Sequence, residues 1–172
     1  MMVAPVSAGA ILHAGCGRAP LPEWLDGQET RLDISPDCNP DVLASMADIG
    51  EIGPFNTVYT SHSLEHLSPS DVPRALAGFY RVLEPGGALV IIVPDIEDAR
   101  PTEDVLFVTS AGPITGLDLI YGHRASLDSM PYMAHRSGFT ADLLQGALEA
   151  AGFETIKTRR MSNYNLMAVA RK

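Results

Sequence analysis

Apolar residues in this chain fall into short dense runs divided by glycine, proline and polar turns. Such runs belong to strands buried on both faces of a parallel sheet rather than to alternating, half-exposed strands. The first, Gly9-Ala10-Ile11-Leu12-His13-Ala14, breaks at once into Gly15-Cys16-Gly17. An apolar run that ends in Gly-x-Gly forms a strand whose turn is tight enough for a ligand to approach the backbone. Thr30-Arg31-Leu32-Asp33-Ile34 reads as a second strand, residues 41–48 as the approach to a short third, and Thr57-Val58-Tyr59-Thr60 as a fourth. Ala88-Leu89-Val90-Ile91-Ile92-Val93 is the fifth and is apolar throughout.

Helical periodicity fills the gaps. Ser68 is placed to cap a helix, with Pro69 at its first position, Asp71 in the capping-box place, and Val72, Leu76, Phe79 and Leu83 facing the sheet before Pro85-Gly86-Gly87 stops it. Thr140 caps a second helix whose Leu143, Leu144, Ala147, Leu148 and Ala151 make an apolar stripe ending at Gly152. Residues 153–158 and 165–170 read as a closing pair of strands, and residues 20–27 leave room for about two helical turns with Trp24 in the core. Residues 95–138 lack sustained periodicity, with only 104–108 and 116–121 as short elements. A stretch of that length inside a compact chain is more often functional than idle, and it is expected to cover an acceptor.

The glycine turn gains meaning from Asp33, 18 residues after Gly15 at the end of the second run. In Rossmann-type sites an acid about 20 residues past the glycines sits on the neighbouring strand tip and accepts hydrogen bonds from ribose hydroxyls. A dinucleotide site would need a third glycine three residues after Gly17, but Pro20 stands there, followed by Pro22. Prolines lack the N–H groups that cradle a pyrophosphate, so an NAD-linked oxidoreductase is disfavoured.

These residues resemble the Rossmann-like, class I S-adenosylmethionine-dependent methyltransferases. Met46-Ala47-Asp48-Ile49 is similar to that family's third motif, Phe55 to Leu67 with its Leu64-Glu65-His66-Leu67 to its fourth-strand region, and Arg81-Val82-Leu83-Glu84-Pro85-Gly86-Gly87 to the turn before strand five. His13 stands where the family usually has an acid, and Ala19 where a third glycine is frequent. A short subgroup, resembling methyltransferase type 11 domain proteins, reads Leu-His-x-Gly-Cys-Gly with a tryptophan before the second acid, as here with Trp24. The resemblance implies an α/β fold: a doubly wound, mostly parallel sheet of about seven strands, the last antiparallel, with helices on both faces. It implies S-adenosylmethionine as cofactor, held by His13, Gly15, Cys16, Gly17, Asp33, Ile34, Asp48, Ile49, Ser61 and His62. In that scheme Asp48 accepts from the adenine amino group and Ile49 lies against the ring.

Composition narrows the partners. At 172 residues and 46% hydrophobic content, residues 1–172 are expected to form one domain. A net charge of −9 with no dense basic patch excludes nucleic acid and anionic membrane as partners. Cys16 and Cys38 do not make a secreted disulfide framework, no Cys/His cluster has zinc spacing, and the punctuated start of the chain is too short to span a membrane. The expectation is a cytoplasmic protein without a metal.

Methyl transfer from a sulfonium needs acceptor and methyl group held at near-attack distance more than it needs acid–base groups. A histidine suits an acceptor that must lose a proton. His62, at the carboxyl end of strand four, is the first candidate, and His123 and His135 in the irregular segment are the others; His66 is expected to tether the loop. Glu65 is a further possible base, and Arg100, Arg124 and Arg136 are possible ligands for an acidic acceptor. The acceptor expected is a small molecule or glycan. The rival reading is an S-adenosylmethionine- or S-adenosylhomocysteine-binding module without catalysis.

Overall fold

Seven strands join in one sheet in the computed structural model, which describes residues 9–172. Across the sheet they run β3 (Val42–Leu43), β2 (Gln28–Asp33), β1 (Ala10–Ala14), β4 (Phe55–Ser61), β5 (Leu83–Pro94), β9 (Asn165–Arg171) and β8 (Glu154–Met161), numbered in chain order. The pairs from β3 through β5 are parallel, whereas β9 lies antiparallel between β5 and β8. The expected sheet, with its last strand inserted antiparallel, is therefore present. Strand order reverses between β1 and β4, and in open α/β sheets that reversal opens a crevice at the carboxyl ends of the strands.

The central strands are apolar because both their faces are covered. Leu12, Val58, Leu89 and Ile91 are fully buried under α1 (Asp71–Val82) and α4 (Ala141–Ala150). Helix α1 turns Val72, Ala75, Leu76, Phe79 and Val82 inward, the i, i+3, i+4, i+7 stripe of an amphipathic helix. Truncation of Phe79 to alanine would cost about 3–5 kcal/mol, since the ring is wholly enclosed.

Several expectations are corrected. Residues 20–27 form turns, with Leu25 N donating to Pro22 O, and not two turns of helix; two prolines in three residues deny the donors a helix needs. Consequently, among the described residues, no helix joins the second apolar cluster, formed by Ile11, Tyr59, Val90 and Met167 and covered by Leu21 and Leu25. Trp24 is half exposed, set edge-on to Tyr59, rather than part of the core. Helix α1 starts at Asp71, not Pro69, although Ser68 Oγ still accepts from Asp71 N. The chain leaves α1 directly into β5, which spans Pro85-Gly86-Gly87 although Gly86 turns to φ +78° and the register against β4 shifts there. Thr140 caps α4 as expected, accepting from Leu143 N, but Leu143 itself is exposed.

The stretch 95–138 holds more regular structure than its sequence pattern shows. β6 (Val105–Thr109) and β7 (Gly112–Thr115) pair as a hairpin, followed by the short helices α2 (Gly116–Tyr121) and α3 (Arg124–Leu127). Thr115 and Asp118 form a capping box at the start of α2.

Candidate active site

The tips of β1 and β2 are bound to one another. Gly15 N and Cys16 N both donate to Leu32 O, at 2.8 and 3.1 Å, and Gly17 N donates to Asp33 Oδ2 at 2.8 Å. Gly15 adopts φ +66°, and a Cβ there would fall 2.5 Å from Ser63 Cβ and Oγ, so the position requires glycine. Gly17, at φ +49°, faces open space. Asp33 Oδ1 accepts from Ser35 N at 2.9 Å, which leaves each carboxylate oxygen lone pairs for further donors.

In front of these tips lies a cavity of about 1030 Å³. Gly15, Cys16 and Gly17, then Asp33, Ile34 and Ser35, then Ser61, His62 and Ser63 line it from three strand ends. Ser129, Met130, Tyr132, Met133 and Arg136 close it from the 95–138 segment and its end. A smaller recess of about 260 Å³, between Glu51 and Val82, lies at the amino ends of β4 and β5, away from where such folds bind ligands.

Seven of the anticipated cofactor residues therefore meet at one cavity, and three lie outside it. His13 points to the opposite sheet face from Leu12 and Ala14, packs on the Tyr59 ring and bonds Glu29 through Nδ1 at 2.7 Å. Burial depresses its pKa, against an opposing pull from Glu29. Arg31 contacts the same Glu29 and donates to Gly17 O at 2.8 Å, so this network braces the glycine turn from beneath. Asp48 is exposed at the end of a turn closed by its N–H on Ser45 O, and Ile49 is buried against Gly78 of α1. The turn instead presents Ala44, Ser45 and Met46 to the cavity, residues the motif reading passed over.

His62 sits at the rim with φ +50°, a left-handed conformation rare outside glycine, fixed by its N–H on Ile92 O at 2.8 Å. Its Nδ1 lies 3.6 Å from Glu65 Oε1. Burial lowers its pKa, but Glu65 more than offsets this and the net shift is upward. His66 also lines the cavity and meets Ala134 O through Nδ1 at 3.3 Å, tethering the loop. His123 and His135 do not line the cavity: His123 bonds Ser126 Oγ at the start of α3, and His135 meets Leu119 O. The main chain of residues 134–137 is stitched to the β4 exit, since Arg136 N and Ser137 N both donate to Glu65 O. Cys16, buried at the cavity wall, has its thiol pushed up to about 11 by burial and is not a thiolate nucleophile.

A family model described as a methyltransferase domain matches residues 4–158. The chain belongs to that methyltransferase family. S-adenosylmethionine is the cofactor such membership implies. No curated protein matches the sequence. Among solved structures the chain is similar to an S-adenosylmethionine-dependent methyltransferase from Mesorhizobium loti, at 18% identity and TM-score 0.66, over 99% of this chain and 94% of the other. It is similar to 1,6-didemethyltoxoflavin-N1-methyltransferase from Burkholderia thailandensis, with bound 1,6-didemethyltoxoflavin and S-adenosylhomocysteine, at 18% identity and TM-score 0.60, over 95% and 70%. It is also similar to a possible exported protein from Bordetella parapertussis, at 16% identity and TM-score 0.62, covering 95% of this chain but only 61% of that one. At these identities the likeness is one of fold. No helix among the described residues is long and apolar enough to cross a membrane.

Proposed function

We propose that this protein transfers a methyl group from S-adenosylmethionine to a small-molecule or glycan-type acceptor by in-line displacement. The observation that carries the reading is the cavity between the β1 and β2 tips, where Asp33 keeps acceptor lone pairs beside the open side of Gly17. Asp33 would receive the ribose hydroxyls, Gly15, Cys16 and Gly17 would lie along the methionine portion, and Ile34 with Ser45 and Met46 would flank the adenine. Ser61 and His62 would face the transferred group.

The cofactor supplies an activated methyl carbon and a neutral thioether leaving group. What the chain supplies is position. An acceptor lone pair forms the new bond to carbon as the carbon–sulfur pair passes to sulfur, and the acceptor's proton leaves to His62 or to solvent. Residues 95–138 serve as the acceptor cover, a role supported by Ser129, Met130, Tyr132 and Met133 on the cavity wall. A net charge of −9 turns away nucleic acid and favours a cationic sulfonium. Two free cysteines fit a reducing, cytoplasmic setting.

Incubation with methyl-labelled S-adenosylmethionine and a panel of hydroxyl- and amine-bearing small molecules and oligosaccharides tests the reading. Transfer of label to one class, abolished by Asp33→Ala, is expected. Tight S-adenosylhomocysteine binding with no transfer to any acceptor would favour the non-catalytic binding module, and stabilisation by NADH alone would favour the oxidoreductase.

A further inference from the structure

Where β4 ends, the fold gathers a group of side chains that methyl transfer itself does not use. One donor atom each from Glu65, His66 and His135 lies within 4.8 Å of the others. Glu65 is 2% exposed, and among the described residues neither of its carboxylate oxygens has a hydrogen-bond partner. A buried carboxylate left without donors is unfavourable unless something charged completes it.

The two imidazoles are arranged to complete it through an ion. His66 Nδ1 is 3.3 Å from Ala134 O and His135 Nδ1 is 3.0 Å from Leu119 O. A carbonyl oxygen can only accept, so each Nδ1 carries the proton and each Nε2 is left with its lone pair. Metal-bound histidines are held in this way, the far ring nitrogen anchored on a carbonyl so that tautomer and ring orientation are set in advance. His135 Nε2 lies 4.0 Å from Glu65 Oε1. The ring centroids of His66 and His135 are 5.3 Å apart and tilted, so the rings do not stack across the space between them.

We propose that Glu65, His66 and His135 bind a divalent transition-metal ion in the wall of the cavity, behind His66. Two imidazoles and one carboxylate form a donor set suited to zinc, iron(II) or manganese(II). Tetrahedral ligand bonds of about 2.0–2.2 Å put donor atoms about 3.4 Å apart, so these groups, within 4.8 Å of one another, draw in by up to about 1.4 Å around the ion. His62 approaches the same carboxylate, and His66 is the one ligand of the three that lines the cavity, so the ion would sit behind the cavity wall and be reached past His66. An acceptor hydroxyl that reached the ion past His66 would give up its proton more readily, to His62 or to solvent, and meet the methyl group as an oxygen nucleophile. The ion's catalytic role rests on the methyl-transfer reading; its binding does not. The sequence showed no zinc spacing because His66 and His135 lie 69 positions apart.

Cobalt(II), added to chelator-treated full-length protein and followed by its visible absorption, tests the site directly. One equivalent is expected to bind, displaceable by zinc, with affinity falling at least about 100-fold in His66→Ala and in His135→Gln. Asp33→Ala should bind cobalt like the wild type while losing S-adenosylhomocysteine, which separates the ion site from the cofactor reading. Thermal melting establishes that each variant is folded, and His135→Gln, with its preserved bulk, stands in should His66→Ala fail to fold. Absence of stoichiometric cobalt binding by the wild type, or equally tight binding by folded His135→Gln, would overturn the proposal.

Discussion

Gly17 N donates to Asp33 Oδ2 at 2.8 Å, so the glycine turn and the second-strand acid form one unit rather than two neighbouring motifs. The two glycines of that turn nevertheless answer to different demands. At Gly15 an added Cβ would meet Ser63 at 2.5 Å, whereas at Gly17 it would meet nothing within 4 Å. Gly15→Ala is therefore expected to destabilise the fold by about 1–3 kcal/mol from strained φ and overpacking. Gly17→Ala is expected to cost only about 1 kcal/mol of stability but to weaken S-adenosylhomocysteine binding, because its methyl group enters ligand space. Urea unfolding beside calorimetric titration separates the two; equal loss of stability in both variants would contradict this division.

His13 is expected to act on stability more than on cofactor affinity, since it faces Tyr59 and Glu29 and not the cavity. Its pKa is depressed by burial, with Glu29 and Asp33 opposing and Arg31 assisting. The unfolded chain then binds a proton near pH 6.5 that the folded chain refuses. The stabilising contribution is complete above about pH 6.5 and is lost as pH falls toward the lower native value. In His13→Asn this limb should flatten below about pH 6.5, with S-adenosylhomocysteine affinity nearly unchanged. A large fall in affinity at neutral pH would show that His13 reaches the ligand after all.

Asp118 anchors the segment 95–138 at the start of α2. It accepts from Thr115 N and Oγ1 and from Arg124 N and Nε, and it is almost wholly buried. Burial alone would raise its pKa, but these donors hold it far below the usual carboxylate range. Its stabilisation is present above the unfolded value of about 3.9 and is lost as pH falls below it. Asp118→Asn should cost about 1–2 kcal/mol at neutral pH, as loss of a capping box does, and the difference from wild type should shrink in acid. Because Leu119 O holds His135, the same variant should also raise proteolytic susceptibility of the 116–136 stretch. An unchanged melting temperature at neutral pH would contradict this assignment.

What could be read from the sequence follows the range of the interactions involved. The Gly15–Asp33 relation was legible because a strand, a tight turn and the next strand are local features with fixed spacing. The β4 exit was legible too: Ser61, His62 and Ser63 do line the cavity. The third strand misled because it is only two residues long, and the turn after it puts Ser45 and Met46 forward while Asp48 faces solvent. Helix stripes located α1 and α4, yet Leu143 is exposed although the stripe included it. The junction of Glu65 with His66 and His135 had no local signal, since it depends on Arg136 N and Ser137 N pinning a distant loop to Glu65 O.

The central claim, that the β1 and β2 tips hold the nucleoside of S-adenosylmethionine, is tested most directly by calorimetric titration of S-adenosylhomocysteine into wild type, Asp33→Ala and the isosteric Asp33→Asn. The expected result is single-site binding by the wild type, weakened by roughly 3 kcal/mol in Asp33→Ala and substantially in Asp33→Asn, with both variants folded by circular dichroism. Unaltered affinity in the folded variants, or no binding by the wild type, would contradict it.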